Sequence, residues 1–480
     1  MPEDLQLLID GEWRAGSGPL LRSVNPAHPH ETVAEGATAT GAEVERAVTA
    51  AAAAADGWRR TPHHERGAIL ARAAAALRTE ADAFGVELSR EEGKLAAEGI
   101  GEVRRAAQIL DFFAAEADRE AGELYASPRA GEAIVVSRHP VGVVGVVTPF
   151  NFPIAIPAWK IAPALSYGNT VVWKPASVVP LLAQRLARAL TDAGLPDGVL
   201  NLVVGAGSLG QAIVDHPLVD AATFTGSTTV GRSLIAACGA AAKPIQAELG
   251  GKNAAIVLAD ADLPAAIDDV VAGAFRASGQ RCTATSRLIV QADVADQVID
   301  GIRARIESMV LGDPTTAGTD VGPVITCDAR DSIATAVRAA GGGTRLLTAG
   351  DLLPDIDAGY YVRPTLVEVS DPRDPLWTDE IFGPVLAVTR VPDVDTALRL
   401  ANDSPFGLSC ALFTSDLAVT LHAMAELRVG VLHINSETGG ADPHVPFGGT
   451  KASAFGPKEQ GRAARDFFTS MRTVYLQGRR

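Results

Sequence analysis

Between residues 141 and 238, short β-branched apolar runs alternate with helical stretches, and this alternation leaves few folds open. "VGVVGVVTPF" (141–150), "NTVVWKPAS" (169–177), "DGVLNLVVG" (197–205) and "LVDAATFTGS" (218–227) read as buried strands. "LLAQRLARALTDAGLP" (181–196) has helical period and a Gly-Leu-Pro stop, and "TTVGRSLIAAC" (228–238) opens a helix directly after Gly226 and Ser227. Strand, helix and strand in turn, with short connections, are the mark of parallel βαβ units.

The pattern resumes further on. "KNAAIVLADADL" (252–263) is strand then turn, and "LPAAIDDVVAGAFRASG" (263–279) is a helix. "SRLIVQADVADQVIDGIRARIESMV" (286–310) is again strand then helix. Before the first unit lie alanine-rich segments at 41–58, 63–94 and 97–119 that read as packed helices. "GEAIVVSRHPV" (131–141) and "FFTSMRTVYLQG" (467–478) are alternating strands that could pair in a small appended sheet, of a kind that docks on another subunit. A chain of 480 residues exceeds one compact core, so two or three domains are expected.

Composition removes other classes. The formal net charge of −15 argues against nucleic acid or anionic membrane as the main partner. No apolar run reaches the roughly 18 residues of a membrane span. "MPEDLQLLIDGEW" is acidic and interrupted, unlike a signal peptide. The four cysteines form no CxxC pair, which points to a reducing, cytoplasmic compartment, and the nine histidines form no pair that would predict a metal site.

Within this frame a few residues stand out. Cys282, in "FRASGQRCTATSR" (275–287), follows Gly279 and Arg281. Taken alone it reads as a small buried hydrophobe. A neighbouring cation and tight backbone approach at the glycine are what a thiolate nucleophile needs. Cys238, Cys327 and Cys410 lack such a setting. Glu248, in "QAELGGK" (246–252), is either a turn carboxylate or, if buried beside Cys282, a general base. Asn151, in "TPFNFP" (148–153), stands at a strand's carboxyl end; it either makes the turn or donates to an oxyanion. Lys174 is a solvated lysine or a nucleotide contact. Gly226, Ser227 and Gly231 offer a helix N-terminus to an anion, without the GxGxxG fingerprint.

The set as a whole resembles the aldehyde dehydrogenase superfamily from "IDGEW" (9–13) to the last strand. The matching blocks are "TPFNFP", "WKPAS" (173–177), "FTGS" (224–227), "ELGGK" (248–252), "GQRC" (279–282), "EIFGP" (380–384), "NDSPFGLS" (402–409) and "PFGG" (446–449). The resemblance implies an α/β protein with a Rossmann-like dinucleotide-binding domain (1–122 and 142–250), a catalytic domain (251–445) and oligomerisation strands (123–141 and 462–480). It implies NADP or NAD as cofactor and a homodimer or homotetramer. Cys282 would be the nucleophile, Glu248 the base that activates water, and Asn151 the oxyanion donor. Phe150, Lys174, Pro175, Ala176, Ser177, Gly226, Ser227, Leu249, Glu380 and Phe382 would hold the cofactor, and Lys160 matches a position linked to proton relay.

Two features bear on specificity. Many NAD-preferring relatives carry an acid where this chain has Ser177; without it, a 2′-phosphate is not repelled, and NADP use is expected. "SGQRCTATSR" and the 433–469 segment look most like the branch that oxidises α-ketoglutaric semialdehyde (2,5-dioxopentanoate). Arg281 would then meet a carboxylate tail or make a structural salt bridge, with Phe152 and Phe447 lining the tunnel. The alternatives are an aromatic aldehyde such as benzaldehyde, and a CoA-acylating enzyme, against which the presence of Glu248 argues.

Overall fold

The computed structural model describes residues 1–478 apart from 117, 120–121, 342 and 357–358. Those six positions and 479–480 fall within segments predicted above (97–119, 1–122, 251–445 and 462–480) and lie outside the described residues. Two large sheets organise the chain. The first has eight strands in the order Ala454–Phe455, Ile245–Glu248, Ala221–Thr225, Val143–Val147, Thr170–Lys174, Leu200–Leu202, Leu7–Ile9 and Glu12–Arg14. Its five central strands are parallel and its edges antiparallel. Val143–Val147, Thr170–Lys174 and Ala221–Thr225 are buried almost throughout, as strands must be when helices cover both sheet faces. The chain leaves Val143–Val147 toward one edge, then returns to lay Ala221–Thr225 on its other side. This reversal opens a crevice at the strands' carboxyl ends, where such sheets bind ligands.

The second sheet has seven strands, with Thr285–Gln291 and Asn253–Val257 near its centre, and it is parallel except for the edge strand Thr344–Leu346. A third sheet pairs Glu132–Pro140 with Thr469–Gln477 and Gly122–Ala126. Both strands read from the sequence are therefore present and paired, and Gly122–Ala126, within the 123–141 segment but for its first residue, completes the set.

The helices differ from the sequence reading in two places: the one read over 263–279 ends at Phe275, and the one read over 63–94 is broken. Segment 63–94 is not continuous: His63–Thr79 and Ala81–Glu92 are separated at Glu80, whose ψ of 8° leaves the helical basin. The second ends at Gly93, left-handed at φ 93°, a common helix stop. The first helix, Gly41–Arg60, begins with a capping box in which Glu43 accepts from the Thr40 N–H at 2.8 Å. Among the described residues no helix is long and apolar enough to cross a membrane.

Candidate active site

The helix Leu263–Phe275 is capped by Asp262 and runs down to the sequence around Cys282. It stops in an unusual way. Ala277, Ser278 and Gly279 have φ of 50°, 54° and 72°, three successive left-handed residues. Two of them carry a Cβ and pay for that conformation, so neighbouring groups must hold them there. Glu98 accepts from the Ala277 N–H at 3.0 Å, the Ser278 hydroxyl donates to Gly322 O at 2.7 Å, and the Gln280 side chain accepts from the Ile325 N–H at 2.9 Å. Gly279 has a steric reason as well: a Cβ there would lie 2.3 Å from the Gly383 carbonyl oxygen. Gly279→Ala is therefore expected to destabilise the protein by about 2 kcal/mol or more, read as a drop in the thermal unfolding midpoint.

This turn delivers Cys282 to a wall shared by two cavities. On one side is a cavity of about 530 Å³. On the other is one of about 300 Å³. Burial pushes the Cys282 thiol up to about 12; Glu248 and Glu380 add to this, and Arg281 opposes it without prevailing. Adjacency in sequence thus does not make Arg281 the dominant influence on the thiol. Asn253 fixes the backbone here, donating to Cys282 O at 2.8 Å and to Ala284 O at 2.9 Å.

The larger cavity occupies the crevice of the first sheet. Phe150, Asn151, Lys174, Ala176, Ser177, Gly226, Ser227, Leu249, Glu380 and Phe382 all line it. Pro175 does not; it is buried behind the wall, where its locked φ shapes the turn. Ser227 caps the helix Thr228–Ala240, presenting that helix's N-terminus to the cavity. Burial alone pushes Lys174 down to about 8, with no carboxylate acting on it. The Gly251 N–H donates to Glu380 at 2.9 Å. Phe150 and Phe382 meet edge to face at 5.7 Å. A helix N-terminus, an uncompensated buried cation and a held carboxylate fit phosphates and ribose hydroxyls, so the residues present suit a dinucleotide.

The smaller cavity is walled by Phe152, Trp159 and Phe447, with Glu98, Glu102, Arg105, Arg281 and Glu437 among its polar lining. Arg281 is already engaged. Its guanidinium donates to Ala272 O at 2.9 Å, Gly273 O at 2.7 Å and Glu437 at 3.3 Å. Of the two readings of Arg281, these contacts are those of the structural salt bridge. Arg105, which the sequence did not single out, reaches the same cavity and pairs with Asp442 at 3.2 Å.

Glu248 ends its strand buried, and lines neither cavity. Its carboxylate accepts from the Gly449 N–H at 3.1 Å, and a Cβ on Gly448 would sit 2.2 Å from its Oε1, so "PFGG" must be glycine there. Burial, then the charge of Glu459, holds its pKa well above the ordinary carboxylate range. Lys160 is fully buried and donates to Thr223 at 2.9 Å and to Glu459, placing both beside Glu248. Glu459 lies in the tail segment that carries the branch resemblance, which gives it no role. Among the described residues no group of three or more His, Cys, Asp or Glu could hold a metal ion.

An α/β fold with a cysteine set between a crevice suited to a dinucleotide and an aromatic-walled cavity with charged groups at its lining is that of an oxidoreductase working through a covalent thiol adduct. The chain belongs to the aldehyde dehydrogenase family, whose family model matches residues 13–474. It is 39% identical over 474 residues to the alpha-ketoglutaric semialdehyde dehydrogenase of Bacillus subtilis (strain 168), covering 98% of this chain and 97% of that one. It is 41% identical over 476 residues to the alpha-ketoglutarate semialdehyde dehydrogenase of Haloferax volcanii, covering 97% and 98%. The crystal structure of an NAD-dependent aldehyde dehydrogenase from Sinorhizobium meliloti superposes with a TM-score of 0.96 at 33% identity, covering 100% of this chain and 96% of that one.

Proposed function

We propose that this enzyme oxidises a carboxylate-bearing semialdehyde such as 2,5-dioxopentanoate to its acid, with NADP or NAD. The observation that carries the reading is Cys282 on the wall common to both cavities. The aldehyde enters from the smaller cavity, and the Cys282 sulfur, having given its proton to solvent water, adds to the carbonyl carbon. The Asn151 amide donates to the oxygen that gains charge. When bound, the nicotinamide supplies the hydride acceptor. Glu248 takes a proton from the water that attacks the resulting thioester, and the Sγ–C bond breaks to release the acid. Lys160 and Glu459 lie where they can pass that proton on.

The relatives named above support the semialdehyde, and Arg105 supplies a cation in the tunnel for its tail. The aromatic walls Phe152, Trp159 and Phe447 favour benzaldehyde as the second reading. Initial rates with succinic semialdehyde, 2,5-dioxopentanoate and benzaldehyde, each with NAD and NADP, separate them. The expected result is the highest kcat/KM with 2,5-dioxopentanoate; a benzaldehyde maximum overturns the branch.

The cofactor choice rests on Ser177 and Lys174. Ser177→Glu is expected to lower kcat/KM with NADP on the order of 100-fold by like-charge repulsion, and to leave NAD use largely intact. Lys174 is charged below its pKa of about 8 and neutral above it. The KM for NADP is therefore expected to rise with pH beyond 8, and that for NAD to change less. Rates with both cofactors from pH 6.5 to 9.5 check this.

The same proposal divides the chain at 1–122 with 142–250, 251–445, and 123–141 with 462–480. It makes the third sheet an interface between copies in a homodimer or homotetramer. Leu124, Tyr125, Met471, Tyr475 and Leu476 stand exposed on that sheet, which supports the docking role. A cytoplasmic setting suits a nucleophile that must stay reduced.

A further inference from the structure

A charged cluster lies buried under the segment that carries Asn151. The Lys94 ammonium is 3% exposed. It donates to Glu102 at 2.6 Å and to the Asn151 backbone carbonyl at 2.8 Å, and sits 4.2 Å from the centroid of the Phe152 ring. Glu102 is 4% exposed. Its second oxygen accepts from the N–H groups of Ile154 and Ala155, at 3.0 and 3.1 Å, the first free donors of the helix Ala155–Ser166. One ion pair thus grips residues 151, 152, 154 and 155 at once. Glu102 reaches the tunnel wall with both oxygens already hydrogen-bonded, one to Lys94 and the other to the two backbone N–H groups. Burying a lysine and a glutamate is costly unless each charge is paired and hydrogen-bonded, and here both are. Neither residue belongs to the chemistry described above.

We propose that Lys94 and Glu102 are positioning residues that act through Asn151, holding its amide where the oxyanion forms. The proposal rests on the reading of Asn151 as the oxyanion donor. An amide displaced by about an ångström loses on the order of 100-fold in rate.

The test is a double-mutant cycle on kcat/KM with Lys94→Met, Asn151→Ala and the two together. Lys94→Met is expected to lower kcat/KM between about 10-fold and about 100-fold. The double variant is expected within about 3-fold of Asn151→Ala alone, because a positioning residue has nothing left to position. If the two single losses multiply in the double variant, the proposal falls while the role of Asn151 stands. If Asn151→Ala is as fast as the parent, the oxyanion reading itself falls and takes the proposal with it. If Lys94→Met does not fold, Glu102→Gln and Lys94→Arg run the same cycle. Lys94→Arg is expected to be faster than Glu102→Gln, since it keeps the charge and a donor for the Asn151 carbonyl; equal losses in these two, multiplying with Asn151→Ala, overturn the proposal.

Discussion

An enzyme carrying Cys282→Ala is expected to keep its fold and its affinity for the dinucleotide, and to lose aldehyde oxidation by at least ~10⁴-fold. The size follows from the role. Without the sulfur no covalent adduct forms, and the remaining groups can only hold the aldehyde and polarise its carbonyl. The fold should survive because the side chain lines two cavities and is only partly packed against the core, and Asn253 holds the backbone of this residue, not its side chain. Reduced-cofactor absorbance measures the loss, and dinucleotide titration with the unfolding midpoint shows that only chemistry was removed. A variant retaining a tenth of the parent rate would move the nucleophile elsewhere.

Glu248→Gln is expected to uncouple the two halves of the reaction. The first turnover still releases about one equivalent of reduced cofactor, and the steady rate then falls between ~10²-fold and ~10⁴-fold, the usual worth of a general base. The pH dependence follows from burial. Glu248 holds its proton to a higher pH than an ordinary carboxylate, and only its deprotonated form can accept a proton from water. The parent's thioester hydrolysis therefore rises with pH as this group ionises, and the residual rate of Glu248→Gln lacks that rise. Rapid-mixing traces across pH read both. A variant with no burst would assign Glu248 to thiol activation instead.

Much of this architecture was legible in the chain. β-Branched runs bounded by Gly and Pro marked the parallel strands, and two alternating segments more than 300 residues apart proved to be neighbours through Thr469–Pro140 and onward. Other features left no local trace. The break at Glu80 has neither glycine nor proline to announce it. Lys94 and Glu102 sit in charged, alanine-rich stretches that read as packed helices, but which of their charged residues are buried is settled only by tertiary packing. Arg281 beside Cys282 in sequence turned its guanidinium to backbone carbonyls, because side-chain direction is set by a turn that sequence adjacency does not encode.

The placement of Cys282 between two cavities has a kinetic consequence. Exposed Gly207 and Val230 line one cavity and exposed Gly101 and Gly440 the other, so the two have different rims. Traffic through one need not wait for the other: an acid can depart while the dinucleotide stays seated. Order of arrival and departure is then a matter of relative lifetimes, open to tuning by single residues at either rim without touching the chemistry between them.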